Sequence, residues 1–129
     1  MPHYEKEITV TLDDLDDLNH VNNVRYVQWI QDISKEHWKA KAPESIQDEV
    51  VWVVLTHHIE YKSAAVLHDT IHIKTHIESS KGAKSIRIVE MFHSKTNTLI
   101  LRSSTEWCLL NKVTLKPMRI SENIQEIFA

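Results

Sequence analysis

Asp69-Thr70-Ile71-His72-Ile73-Lys74-Thr75-His76-Ile77-Glu78-Ser79 decides the fold. Ile71, Ile73, Thr75 and Ile77 leave one face of a strand and His72, Lys74, His76 and Glu78 the other, because strand side chains alternate. A strand of this kind belongs to a sheet with one dry and one wet face, the habit of antiparallel sheets. Working outward, further strands are expected over residues 50–61, 83–93 and 99–110. The turns between them, Ser63-Ala64-Ala65, Ser79-Ser80-Lys81-Gly82 and Ser94-Lys95-Thr96-Asn97, are short enough to join antiparallel neighbours. Residues 4–12 alternate as well, with Tyr4, Ile8, Val10 and Leu12 set against Glu5, Glu7, Thr9 and Thr11, and form the first strand.

Between this first strand and the other four the period changes. Tyr26, Ile30, Ile33 and His37 follow at i, i+4, i+7 and i+11, with Val27 and Trp29 widening the stripe and Arg25, Gln28, Gln31, Lys35 and Lys39 falling elsewhere. Asparagines at 22 and 23 can cap the start of this helix, and Pro43 ends it near Lys41 by biasing the preceding residue away from helical geometry. A short acidic connector, 44–49, follows, and 121–128 has a serine cap position for a last short helix. The fold class is therefore α+β: one long helix packed on a five-stranded antiparallel sheet, in a single domain over 1–129. One helix is too narrow to cover such a sheet, so a second copy is expected to complete it as a homodimer or homotetramer.

Composition narrows the function. A content of 42% hydrophobic and 26% charged residues is that of an ordinary globular protein. A net charge of −3, with acids and bases interspersed, offers no broad basic face for nucleic acid or anionic lipid, so an anionic ligand needs a local site. No apolar run approaches a membrane span, and the charged start lacks the apolar stretch of a signal peptide. One cysteine, Cys108, permits no intrachain disulfide and fits a cytoplasmic location. Its place mid-strand beside Trp107 and Leu109 points to burial. Gly82 is the one glycine, which excludes the glycine-rich cradles of nucleotide-binding folds and the glycine-flanked serine of hydrolase elbows.

The chemistry is concentrated in Asp14-Leu15-Asp16-Asp17-Leu18-Asn19-His20-Val21-Asn22-Asn23, followed by Tyr26. The N–H groups of a helix's first turn lack intrahelical partners and carry partial positive charge, so they can polarise a carbonyl or hold an oxyanion. A carboxylate a few residues ahead, Asp16, can attack that carbonyl or deprotonate a water. His20 can orient the water, bond the carbonyl oxygen or relay a proton. On capping preference alone, such an acidic turn is a solvated segment that steadies the helix start.

This segment resembles the hotdog-fold thioesterases of the 4-hydroxybenzoyl-CoA thioesterase type and the related acyl-ACP thioesterases. Their pattern is close to D-x-D-x-x-G-H-V-N-N-x-x-Y, and Asp14, Asp16, His20, Val21, Asn22, Asn23 and Tyr26 match in place. Asn19 stands where the family has glycine, and Leu18 where acyl-ACP enzymes often have a catalytic asparagine. Asparagine tolerates left-handed backbone better than most residues. The resemblance extends to the order of elements and to the close Lys116-Pro117-Met118-Arg119-Ile120-Ser121. It implies a hotdog fold and hydrolysis of an acyl thioester, with acyl-CoA as partner and no cofactor. The implied catalytic residues are Asp16 and His20, and Asn19, Val21, Asn22, Asn23 and Tyr26 would bind substrate at a subunit interface. Asp14 is expected to brace the turn.

Two other readings accompany it: a thioesterase acting on acyl carrier protein, which a basic docking patch would favour, and a catalytically silent hotdog that binds an acyl ligand or serves as a structural partner. A hotdog dehydratase would use similar groups beside the thioester without cleaving it. Nine histidines raise the question of metal. His72 and His76 share a strand face but stand roughly 13 Å apart, and His57 and His58 point to opposite faces, which leaves a cross-strand pair such as His58 with His72. No metal is expected. Lys62, Lys81, Lys84 and Arg87, basic and near turns, are the candidates for the CoA phosphates.

Overall fold

The computed structural model describes residues 3–128. Five strands, β1 (Tyr4–Thr9), β2 (Val50–Tyr61), β3 (Thr70–Lys81), β4 (Lys84–His93) and β5 (Leu99–Asn111), form one antiparallel sheet in the order β1-β3-β4-β5-β2. Helix α1 (Asn23–Lys41) lies on the face that carries Ile71, Ile73, Val89, Met91 and Leu101, all buried. Its inward stripe is Tyr26, Ile30, Ile33 and His37, as the spacing requires, with Ser34 added. The opposite face is wet: Glu5 meets His72 at 2.7 Å, and Lys74 lies over the Phe92 ring.

Two stretches differ from the sequence reading. The first strand stops at Thr9, because Leu12–Asp14 closes a turn of 3-10 helix with Leu12 exposed. The Asp14 carboxylate causes the closure by accepting bonds from both Thr11 N–H (2.9 Å) and Thr11 Oγ1 (3.1 Å). The acidic connector contains a helical turn, α2 (Glu44–Gln47), which begins just after Pro43 and is steadied by Gln47 Nε2 donating to Ala42 O. The last helix, α3 (Glu122–Ile127), starts from Ser121 as expected, the serine hydroxyl accepting from Ile124 N.

The helix-covered side is not uniformly dry. One apolar cluster gathers Val10, Tyr26, Ile30, Ile33, Ile71, Met91 and Leu101 under the first half of α1, and a second gathers Val50, Leu109, Ile120 and Ile124 near its end. Polar residues separate them: His37, Thr75, Arg87, Ser103 and Thr105 are all buried. Arg87 Nη1 donates to His37 Nδ1 and to Thr75 Oγ1, both at 2.9 Å, and Thr75 Oγ1 passes a hydrogen to Ile88 O. An arginine cannot accept, so His37 Nδ1 is the acceptor and the imidazole is held neutral. Burial and the neighbouring cation lower its pKa to about 4. Burial also lowers Arg87, to about 10, which leaves it charged at neutral pH.

Candidate active site

The segment between β1 and α1 folds on its own carboxylates. Asp14 is buried, its Oδ2 closing the 3-10 turn and its Oδ1 paired with Arg25 Nε at 3.2 Å, which is the bracing role expected of it. Asp16 builds the next turn. Its Oδ1 accepts from Leu18 N (2.9 Å) and His20 N (3.2 Å), while its backbone N–H donates to His20 O (2.8 Å). Oδ2 accepts no hydrogen bond among the described residues.

Asn19 sits at φ +59°, the left-handed geometry that glycine would adopt most readily, so asparagine preserves the turn here. His20 and Val21 then run antiparallel to the segment after β2: His20 pairs with Val66, and Val21 N donates to Ala65 O at 2.9 Å. Val21 is buried, and Asn22 caps α1 by accepting from Val24 N at 3.0 Å. Both therefore hold the framework of the site.

The capping leaves one donor over. From Leu18 to Tyr26, each backbone N–H except that of Asn23 has an acceptor among the described residues. The Asn23 amide thus stands at the positive end of α1 with nothing bonded to it. Around it, Tyr61 Oη donates to Asn23 Oδ1, and Ala65 N donates to Tyr26 Oη at 3.3 Å. Burial raises the Tyr26 hydroxyl above its ordinary value; the Ala65 bond opposes the rise, and Tyr61, Asp69 and Asp16 add to it. Asp69 joins this group through Val66, whose N–H donates to Asp69 Oδ2 at 2.9 Å beside the His20–Val66 pairing. The His20 ring is exposed and makes no hydrogen bond among the described residues.

Tyr61, Ala65 and Asp69 belong to this cluster, and sequence reading missed them. Their segment carries turn residues and a strand end, and only the pairing of 20–21 with 65–66 brings it to the helix. Near it stand Ser63, His93 and Asp69, residue types of a nucleophilic triad. Ser63 Oγ, however, donates to Leu99 O at 2.9 Å and lies 3.4 Å from His93 Nε2, while His93 Nδ1 is 3.7 Å from Asp69. The serine is committed to a carbonyl, so these three form no triad.

The other candidates part company. Arg87 is 4% exposed in the interior, so it is no phosphate contact near a turn. Lys62 lies at the Asp16 end, whereas Lys81 and Lys84 flank the Gly82 turn at the opposite end, roughly 27 Å away along β5. His58 and His72 cannot pair, because β5 and β4 stand between their strands. Cys108 is buried, as its strand position requires.

A five-stranded antiparallel sheet with one long helix packed on it is the hotdog fold. The model of the acyl-ACP thioesterase N-terminal domain matches residues 2–128, and the chain belongs to that family. The probable thioesterase YbaW from Escherichia coli has the same fold, with a TM-score of 0.83 at 21% identity over 95% of this chain and 94% of that one. The 1,4-dihydroxy-2-naphthoyl-CoA thioesterase from Synechocystis superposes with a TM-score of 0.84 at 14% identity, covering 98% and 96%. The 12:0-ACP thioesterase from Umbellularia californica gives 0.84 at 16% identity, covering 98% of this chain and 51% of its own. No curated protein matches the chain.

Proposed function

We propose that the protein hydrolyses acyl-CoA thioesters, with the Asn23 N–H polarising the thioester carbonyl and Asp16 activating the attacking water. The observation that carries this reading is the division of labour in one turn. Asp16 Oδ1 is fixed by two backbone donors, Oδ2 is left to accept a proton, and the Asn23 amide is left to donate. Oδ2 takes a proton from water, the water oxygen bonds to the carbonyl carbon, and negative charge builds on the carbonyl oxygen against the Asn23 amide. The C–S bond then breaks, and the CoA sulfur leaves as thiolate and takes the proton held on Asp16, which restores the carboxylate. His20, exposed beside Asp16, orients the water, and Asn19, Asn23 and Tyr26 border the acyl carbonyl.

A CoA substrate is favoured over a carrier protein by the likeness to a Synechocystis enzyme acting on a CoA thioester. The working form is a dimer of this chain. β2 is a 12-residue edge strand open on one side, and Val53, Val54, Leu55 and Tyr61 are exposed along it, beside the Asn23 contact.

Free-thiol release from short, long and aromatic acyl-CoAs tests the proposal. The wild type is expected to turn over at least one class, and Asp16→Asn, matched for fold and oligomeric state, to lose roughly a hundredfold or more. Absence of thiol release from every acyl-CoA would overturn it. Release from acyl carrier protein alone would then select the carrier-protein enzyme, and none from either a binding-only hotdog.

A further inference from the structure

At the other end of α1, roughly 20 Å along its axis from Asn23, a cavity of about 300 Å³ opens between the helix, β2 and the ends of β4 and β5. Trp38, Trp52, Trp107 and Phe128 form its walls. Its floor is Arg87, 4% exposed. Nη1 spends both its hydrogens on His37 and Thr75, which leaves the Nη2 and Nε donors. No carboxylate lies within 4 Å of the guanidinium among the described residues, and the Phe128 ring centroid stands 5.2 Å from it.

Burying a cation without an anion is unfavourable, and Arg87 is such a cation in the lining of this cavity. The remaining charged groups in the lining are Lys35 and Lys39, and the lining holds no acid. The cavity is therefore apolar in its walls and positive at its floor and rim. A carboxylate would satisfy the guanidinium, accepting two parallel bonds from its free Nε and Nη2 donors.

We propose that this cavity is a binding site for a free organic carboxylate with an apolar or aromatic body, its carboxylate on Arg87 and its body between Trp38, Trp52, Trp107 and Phe128. The proposal does not depend on the chemistry assigned to Asp16. A fatty acid and an aryl carboxylic acid present the same head group, and the cavity recognises the head by charge and the body by packing.

Decanoate and decanol, equal in chain length, are titrated into the full-length protein at pH 7.5, with acetate as the control lacking a body. Tryptophan fluorescence reports on the walls and the arginine Nε–H resonances on the floor. Arg25→Lys, Arg102→Lys and Arg119→Lys assign the Arg87 resonance by elimination. Decanoate is expected to saturate, to quench fluorescence and to shift the Arg87 signal. Decanol and acetate are expected to bind about tenfold or more weakly, the difference a charge-assisted pair makes, and to leave that signal in place. Arg87→Gln is expected to bring decanoate down to decanol. Equal affinity for decanoate and decanol, no saturation at millimolar decanoate, or an unmoved Arg87 resonance would each overturn the proposal. The wild-type readings decide this even where Arg87→Gln does not fold.

Discussion

Asn19 is the residue on which the site turn depends. At φ +59°, an alanine would meet the steric cost of left-handed backbone, about 1 kcal/mol, whereas glycine adopts it freely. Asn19→Ala is therefore expected to lower stability by about 1 kcal/mol in urea titrations and to lower kcat/KM by more than that loss alone explains, because the turn aims Asp16. Asn19→Gly should keep both. The motif made much of this legible: Asp14 as brace, Asn22 as cap and the left-handed tolerance of residue 19 all follow from side-chain chemistry within a few positions. What sequence reading missed is the set of partners from afar, Tyr61, Ala65 and Asp69, which no local pattern joins to residues 20–26. Arg87 was misplaced for a related reason. A basic residue near a turn reads as exposed, and only the register of β4, which turns 85, 87 and 89 inward, puts it under α1.

At the scale of elements, the period of two in β3 and of nearly four in α1 fixed both faces of the sheet in advance, because burial selects side chains at those spacings. The ends of elements were less legible, since a single carboxylate at Asp14 ended β1 early. The open edge of β2 yields its own expectation. Val54→Lys combined with Leu55→Lys places two charges where a second copy would pair, and should shift the protein from dimer to monomer in sedimentation measurements. Acyl-CoA hydrolysis should fall with it. A variant that stays dimeric would show that copies meet elsewhere.

For the whole molecule, the bond from Arg87 to His37 ties helix to sheet and makes folding sensitive to acid. His37 has a pKa of about 4 when folded and 6.5 when free. Between those values the unfolded chain binds a proton that the folded chain refuses, so lowering the pH favours unfolding. Stability is full above pH 6.5 and falls by at most roughly 1.4 kcal/mol per pH unit below it, about 3 kcal/mol in all by pH 4. Burial lowers His57 and His76 as well, which acts in the same direction. Urea midpoints measured from pH 7 to pH 4.5 should decline accordingly, and His37→Gln should flatten the decline. The histidine was visible in sequence as part of the inward stripe, but its neutral state was not, because that state comes from a guanidinium 50 positions away.

The two ends of the sheet order are unlike. β2 closes one side with twelve residues and an apolar run, while β1 closes the other with six residues that include Glu5, Lys6 and Glu7. Each chain therefore has one adhesive border and one border that like copies avoid. Pairing through β2, as the proposed dimer requires, would therefore stop at two copies, because neither chain then has a second adhesive border from which a fibre could grow.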